Sequence, residues 1–214
     1  MDIEQEIRQL DNLIKEMSGL VLSNLKYALS VYEDYDPIKD YKMVDDTKVN
    51  AYERLIETEC LQLMTKERLY AEDLRKVTGI MSLVQDIERL GDHAKDVLQF
   101  SLRLAKPNKD NKQIISLINF VMNMVHDSIY SYINRDILLA REIIKRDDHV
   151  DFVYEEILLD LIKDEEKNNK LSSNYTVYTA LVVKYLERIA DHSTNIAEWV
   201  IYIINGYYKD KQII

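Results

Sequence analysis

Apolar residues recur along this chain at alternating steps of three and four positions, the spacing that places them on one face of an α-helix. The first run consists of Ile3, Ile7, Leu10, Ile14, Met17 and Val21. It is predicted to end before Asp36-Pro37, because proline cannot continue a helix without losing a backbone hydrogen bond. Two further runs, Val49–Leu63 and Val77–Leu98, follow at the same spacing, and Asp73 is the predicted cap of the latter. The first half of the chain therefore predicts three helices.

A polar segment, Lys106–Gln113, interrupts the pattern near the midpoint and contains Pro107. The pattern then resumes and predicts two helices, Ile114–Ile133 and Leu138–Ile162. A polar loop, Lys163–Ser173, and a last helix that continues to Asn205 follow. The fold class predicted is all-α, with six long helices in two tandem three-helix bundles. The predicted domains are residues 1–106 and 114–214, joined by a linker over 107–113.

Matched polar residues indicate that the two halves are copies of one unit. The segment ERLGDHAKDV at 88–97 aligns with ERIADHSTNI at 187–196, an offset of 99, with Glu, Arg, Asp and His identical. Two further anchors keep the same order at offsets of 100 and 101: Asp36 with Asp136, and Asp46-x-x-Val49-Asn50 with Asp147-x-x-Val150-Asp151. Packing does not require identical polar residues on a helix surface, so we interpret the matches as a duplication.

Pairs of acidic residues spaced four apart recur in both halves, and the members of each pair share one helix face. The pairs are Asp46 with Asn50, Glu88 with Asp92, Asp147 with Asp151, and Glu187 with Asp191. The apolar register places Glu88 and Asp92 just outside the core stripe, where we expect them to be open to solvent. Carboxylates so placed are candidate ligands for hard or borderline cations such as Mg, Ca, Mn or Fe. The amide of Asn50 weakens its site.

Surface ion pairs with Arg89 and Arg188 are the alternative interpretation of the same carboxylates. A ferritin-like di-iron centre is excluded, because it needs Glu-x-x-His and this spacing ends at Gly91 and Ala190 here. The histidines that follow the motif aspartates, His93 and His192, are as consistent with solvent-facing or interface positions as with metal binding. His126 and His149 match nothing in the other half, and no function is assigned to them.

Composition excludes several classes of protein. A formal net charge of −10 argues against a protein that works by neutralising nucleic-acid phosphates. The single cysteine, Cys60, allows no intrachain disulfide and is predicted to be a buried apolar side chain. No apolar run reaches the roughly 20 residues that span a bilayer, and the N-terminus has no signal core. The sequence therefore predicts a soluble protein. Because no nucleophile pattern or Gly-rich phosphate loop occurs, it also predicts a protein without enzymatic activity.

The segments ERLGDHAKDV and YLERIADHSTNIAEWVIYIINGYY resemble the hallmark stretches of the PhoU family, regulators of bacterial and archaeal phosphate uptake. The resemblance covers nearly the whole chain. It implies two pseudo-symmetric three-helix bundles, no enzymatic activity, and metal clusters held in some members by E/D-x-x-x-D motifs. The metal would be Fe, Zn, Mn or Mg, and the ligands carried over are Asp46, Asn50, Glu88, Asp92, Asp147, Asp151, Glu187 and Asp191.

The resemblance also implies an adaptor that represses the phosphate-starvation response. Its partners would be the ATPase subunit of the phosphate ABC transporter and a membrane sensor histidine kinase, with no nucleic acid. It implies a homodimer in the cytoplasm, held at the inner membrane face through its partners. The aromatic end of the chain, Trp199, Tyr202, Tyr207 and Tyr208, is a candidate contact patch, although core packing explains the first two. A metal-free helical interaction module, and a paralogue serving another phosphate transporter, remain open alternatives.

Overall fold

The computed structural model describes residues 3–66, 69–108, 111–168, 173–209 and 211–212. Within them the chain forms six α-helices: α1 Ile3–Glu33, α2 Thr47–Lys66, α3 Ala71–Leu104, α4 Lys112–Asn134, α5 Ile137–Asn168 and α6 Ser173–Asn205. A short antiparallel hairpin of β1 (Tyr207–Tyr208) and β2 (Lys211–Gln212) follows α6. The predicted all-α fold class is confirmed, and the hairpin is an addition that the apolar spacing did not predict.

Helices α1, α2 and α3 pack together as the first bundle, and α4, α5 and α6 as the second bundle. The main contact between the bundles is between α3 and α6, with a smaller one between α1 and α4. A continuous apolar core runs through both bundles and includes Leu10, Ile14, Val21, Ile80, Val84, Leu117, Val121, Val183 and Leu186. Each such side chain stabilises the fold by about 1.5–3 kcal/mol when fully buried. Cys60 belongs to this core, which confirms its predicted burial.

The contact between α3 and α6 depends on a glycine. A Cβ atom at Gly79 would overlap the side chain of Ile203 and crowd Tyr202 near the end of α6. The absence of a side chain at Gly79 therefore lets the two helices approach closely. The next turns of the same contact carry polar groups from both helices, so this glycine helps to position side chains that belong to different bundles.

The segment between the bundles is anchored to the end of α1. Asn108 is buried, and its side-chain amide donates to the carbonyls of Tyr32 (3.2 Å) and Lys106 (2.8 Å). Its backbone N–H donates to the carbonyl of Glu33 at 3.0 Å. The bonds to Tyr32 and Glu33 satisfy carbonyls that the last turn of α1 leaves without a partner. The predicted linker therefore packs onto the first bundle at this point.

Two predicted helix ends are wrong. Helix α3 begins at Ala71, its cap position is Tyr70, and Asp73 lies in its first turn near Lys76. A carboxylate in the first turn is favoured by the helix dipole, so Asp73 stabilises the end without capping it. Helix α5 continues to Asn168, six residues into the predicted loop, because Lys and Glu favour helix even without apolar periodicity. Of the rest of that predicted loop, residues 169–172 lie outside the described residues and Ser173 begins α6.

Among the helices of the described residues, none combines the length and apolar character needed to cross a membrane.

Candidate metal site

The structure brings the two acidic pairs of the second bundle together. Asp147 and Asp151 project from α5, and Glu187 and Asp191 project from the neighbouring helix α6. One ligand atom each from Asp151, Glu187 and Asp191 lies within 4.8 Å of the others, close enough to share one ion. Within the described residues, no other group of three such side chains meets this spacing.

Burial and mutual repulsion shift the titration of this cluster. The pKa of Asp191 is raised to about 6, first by burial and then by the charges of Glu187, Asp147 and Asp151. The pKa of Asp147 is also raised, by burial and by Asp151, while a hydrogen bond from Thr194 (3.3 Å) opposes the rise. The carboxylates therefore resist simultaneous ionisation when no cation is present.

One ammonium group partly neutralises the cluster. Lys184 donates from Nζ to both carboxylate oxygens of Glu187, at 2.7 Å each. Its charge lowers the pKa of Asp191 but does not offset the raising effects of burial and the other carboxylates. Oxygen ligands at this separation suit Mg, Mn or Fe, and a cation here would relieve the repulsion. The residues of the second bundle thus fit a metal, and occupancy stays a prediction.

The corresponding residues of the first bundle carry their own cations. Lys95 Nζ lies 2.8 Å from Asp46 Oδ2, and this ion pair occupies the carboxylate that begins the first motif. Arg89 lies 3.4 Å from Asp92 and 3.8 Å from Glu88. The alternative interpretation, in which the motif carboxylates form surface ion pairs, therefore describes the first bundle better than the second.

The expectation that Glu88 and Asp92 are open to solvent is wrong for Glu88, and Glu187, its counterpart in the second bundle, is covered in the same way. The side chains of Glu88 and Glu187 are only 13% and 14% exposed. Burial raises the pKa of Glu88, and the charges of Asp92 and Glu53 raise it further. The apolar spacing within one helix places these residues beside its apolar face. In the folded bundle the neighbouring helix covers that position.

Four residues of these clusters were not predicted from the sequence as site residues: Glu53, Lys95, Lys184 and Thr194. The alignment at offset 99 pairs Lys95 with Thr194. This difference in charge was the signal from which the difference between the two acidic clusters could have been predicted. Glu53 follows Asn50 by three positions and so shares its helix face. Lys184 precedes Glu187 by three positions and could have been found in the same way.

The two motif histidines lie at the contact between the bundles. The rings of His93 and His192 are 5.2 Å apart, and burial lowers the pKa of His93 to about 4. His192 Nδ1 lies 2.8 Å from a carboxylate oxygen of Asp86 on α3. Asn195 (3.2 Å) and Trp199 (2.9 Å) donate to the same carboxylate. The interface interpretation of the histidines fits this geometry, and Asp86 is a structural residue that the sequence did not single out.

The predicted aromatic patch divides into a packed part and an exposed part. Trp199 stacks on Tyr208 with ring centroids 4.1 Å apart, and Tyr202 is buried against Trp199. Tyr207 is exposed on the hairpin. Core packing therefore accounts for Trp199 and Tyr202, as the sequence analysis favoured.

Comparisons with known proteins agree with the duplicated fold. The family model described as PhoU domain matches the chain twice, over residues 14–100 and 114–200. The phosphate-specific transport system accessory protein PhoU homolog of Clostridium acetobutylicum is 31% identical over 215 residues, covering 97% of this chain and 96% of that protein. The homolog of Aquifex aeolicus is 30% identical over 213 residues, covering 96% and 94%. The crystal structure of PhoU from Pseudomonas aeruginosa superposes with a TM-score of 0.85 at 25% identity, covering 96% of this chain and all of that one.

Proposed function

The chain belongs to the PhoU family, and on this premise we propose that it is a non-catalytic accessory protein of a phosphate transport system. The observation that carries the proposal is the family match in both halves, together with relatives named for that system over nearly their whole length. In this role the chain represses the phosphate-starvation response when phosphate is plentiful. It does so by linking the transporter's ATPase subunit to a membrane sensor histidine kinase.

Exposed apolar side chains on α5 support a role in protein contacts. Phe152 and Leu159, two helical turns apart, are 59% and 56% exposed. Large apolar side chains on an otherwise charged surface contribute most of the energy of a helix-mediated contact. Long helices that are packed into bundles present such residues in a fixed arrangement, which suits an adaptor with two partners.

Copurification with the two partners tests this role. The tagged chain is expected to retain the transporter ATPase subunit and the sensor kinase, and Phe152→Ser with Leu159→Ser is expected to weaken retention of at least one of them. Val177→Ser is a matched control, because Val177 is 53% exposed on α6 and lies outside this face. Binding of neither partner at any phosphate concentration would contradict the proposed function.

The second bundle is proposed to hold the metal. Asp151, Glu187 and Asp191 supply the ligands, with Asp147 beside them, and the ion is Fe, Zn, Mn or Mg. The bound cation would neutralise the crowded carboxylates and fasten α5 to α6. No chemistry on a substrate is required of it. The support is the ligand spacing and the raised pKa of Asp191.

Metal analysis of the purified chain tests this assignment. Asp151→Asn with Asp191→Asn is expected to lose the bound metal and to keep its helical content, because neither aspartate belongs to the apolar core. Glu88→Gln with Asp92→Asn makes the matched change in the first bundle and is expected to keep the metal. Full metal content in the second-bundle variant would refute the site.

A metal-free interaction module is the second candidate function, and the ion pairs favour it. Lys184 neutralises Glu187 and Lys95 neutralises Asp46 within the chain itself. If no metal selects the folded state, a chelator leaves the melting temperature unchanged and divalent cations do no more than monovalent salt of equal ionic strength. A stabilisation specific to a divalent cation favours the metal-binding proposal instead.

Assembly and location complete the proposal. The chain acts as a homodimer in the cytoplasm and reaches the inner membrane face through its partners. Sedimentation equilibrium measures the first point, where a monomer at all concentrations would contradict it. Fractionation of cells with and without the transporter measures the second.

A further inference from the structure

A cleft of about 690 Å³ lies between α5, the end of α6 and the C-terminal hairpin. Ile144 and Ile201 form apolar parts of its wall, and Tyr207 of the hairpin lines it as well. A cavity of this volume is in the range of small-molecule sites and much larger than a single inorganic anion requires. Arg141 precedes Asp147 by six residues, about 9 Å along the helix, and Lys145 precedes it by two, so the cleft borders the acidic cluster but shares no lining residue with it.

Cations line this cleft in a chain whose net charge is −10. Arg141 and Lys145 lie one turn apart on α5 and both line the cleft, as does Lys209 of the hairpin turn. Lys209 lies 3.6 Å from Glu198, whereas Arg141 and Lys145 form no ion pair within the described part of the chain. Like charges at this spacing repel each other on a helix, so the pair costs stability unless an anion lies between them.

Glu198 supplies an acceptor without a close donor in the same cleft. Its Oε2 atom is buried, and Lys209 Nζ, its ion-pair partner, lies 3.6 Å away, just beyond hydrogen-bond distance. Burial raises the pKa of this carboxyl, and Lys209 opposes the rise. Buried polar atoms in folded proteins nearly always have a partner, so a donor from a bound molecule would complete this group.

We propose that this cleft binds a phosphorylated small molecule of about nucleotide size. The phosphate lies against Arg141 and Lys145, since a guanidinium group and an ammonium group one turn apart match the oxygens of one phosphate. A hydroxyl of the molecule donates to Glu198, and its organic part lies against Tyr207 and Ile201. The proposal does not depend on metal in the acidic cluster or on either protein partner.

The first bundle does not carry the two cations of this cleft at the aligned positions. At the offset of 101 that aligns α5 with α2, the counterpart of Arg141 is Asp40, which precedes the start of α2. The cations therefore lie on an eleven-residue extension of α5 that α2 lacks. Within the described residues the hairpin likewise follows only the last helix. Duplication of the fold therefore does not account for the unpaired cations in this cleft. A ligand that binds them does.

Calorimetric titration of the full chain in chelator tests the proposal, with adenosine monophosphate, ribose 5-phosphate, adenosine and inorganic phosphate as probes. The sole tryptophan, Trp199, stacks on Tyr208 of the hairpin, so its fluorescence reports the same binding independently. We expect adenosine monophosphate or ribose 5-phosphate to bind, and Arg141→Gln with Lys145→Gln to weaken that binding at least about tenfold, as loss of charged hydrogen bonds does. Adenosine is expected not to bind.

The matched control is Lys48→Gln with Arg54→Gln, which removes the same two charges from the exposed face of α2 and is expected to leave the affinity unchanged. Circular dichroism checks that both variants keep their helices. Absence of binding by all phosphorylated probes, or equal affinity in the cleft variant, would overturn the proposal. If inorganic phosphate binds as tightly as the larger probes, the proposed contacts with the organic part of the ligand are wrong. Arg141-dependent sedimentation with phosphatidylglycerol vesicles, without binding of the soluble probes, would replace the metabolite with a lipid headgroup.

Discussion

The acidic clusters of the two bundles differ in how their charge is neutralised. In the first bundle Lys95 pairs with Asp46 and Arg89 with Asp92. In the second bundle Thr194 stands where Lys95 would be, and among the described residues Lys184 alone forms an ion pair with the motif carboxylates. The same motif on the same fold therefore presents a largely neutralised cluster in one bundle and an under-neutralised one in the other.

This difference shows that duplication preserves the helices more faithfully than the chemistry. The arginines behave differently even though both are retained: Arg89 lies near two carboxylates, while Arg188 lies over the ring of Tyr185. Motif identity therefore does not predict which bundle can take a metal ion. We propose that the charge on the residues facing the motif decides this, and mutation can exchange those residues between the bundles.

Replacing Thr194 with lysine should have the largest effect, because it gives the second bundle the cation of the first. The ammonium group would pair with Asp147 and repel a metal ion, so we expect metal affinity to fall roughly 10- to 100-fold, the usual consequence of changing a group beside metal ligands. Metal content after dialysis against a defined metal buffer measures the change. Thr194→Val is the control for loss of the hydroxyl, and metal retention by the lysine variant would contradict the comparison.

The converse exchange should give the first bundle a metal site. Lys95→Thr with Asn50→Asp removes the cation and completes the acidic pair, so the first bundle would carry the ligand types of the second. We expect metal bound at both bundles in place of one. Lys95→Thr alone serves as the intermediate control. If the double variant gains no metal, Lys95 and Asn50 are not what prevents metal binding in the first bundle, and Glu53 and Arg89 become the residues to test.

The next largest expected effect is on the free energy of unfolding, from a change at the contact between the bundles. Asp86 of α3 faces His192, Asn195 and Trp199 of α6, whereas its aligned counterpart in the second bundle is Tyr185, whose ring contacts His93 instead. Asp86→Asn leaves these donors with a weaker acceptor, and we expect a loss of about 2 kcal/mol in the free energy of unfolding.

Urea unfolding monitored by circular dichroism measures the effect of Asp86→Asn. Asp160→Asn is the control, because Asp160 is an exposed residue whose ion pair with Lys163 is worth about 0.5 kcal/mol or less. A change in the Asp86 variant no larger than that of the control would mean that the hydrogen bonds contribute little to holding the bundles together.

The smallest effect concerns pH. The pKa of Asp191 in the folded chain is raised to about 6, above its ordinary value of 3.8, so the folded state holds this proton more tightly than the unfolded state. Stability from this group is present below pH 3.8 and is lost as pH rises to about 6. Because Asp191 is half-exposed, solvent screening reduces the expected loss to about 1 kcal/mol.

Unfolding of the chain in chelator between pH 4 and 7 measures this dependence. Asp191→Asn is expected to flatten it, and Asp92→Asn, the matched change in the first bundle, is expected to leave it in place. Saturating metal should also remove the dependence in the unmutated chain, because the cation favours the ionised carboxylates. An identical pH profile in both aspartate variants would contradict the assignment to the second bundle.

The apolar spacing was sufficient to predict the helices because it is a local property. The run from Ile3 to Val21 predicted α1, and the proline after Asp36 was a correct sign that the helix had ended. The same reasoning failed at Lys163–Asn168, where charged residues with strong helix propensity extend α5 beyond the last apolar position. Predictions of helix ends are weak where propensity and periodicity disagree.

Sequence alone was enough to establish the duplication, the PhoU resemblance and the eight candidate ligands, because all three depend on residue identity and on spacing within a single helix. The tertiary structure decided which of those ligands meet. Asp151 lies 36 residues before Glu187, and Lys95 lies 49 residues after Asp46, so these contacts depend on how α5 packs on α6 and α2 on α3. Spacing along one helix carries no information about that packing. The burial of Glu88 and Glu187, the hydrogen bonds to Asp86 and the cleft beside the hairpin have the same non-local origin.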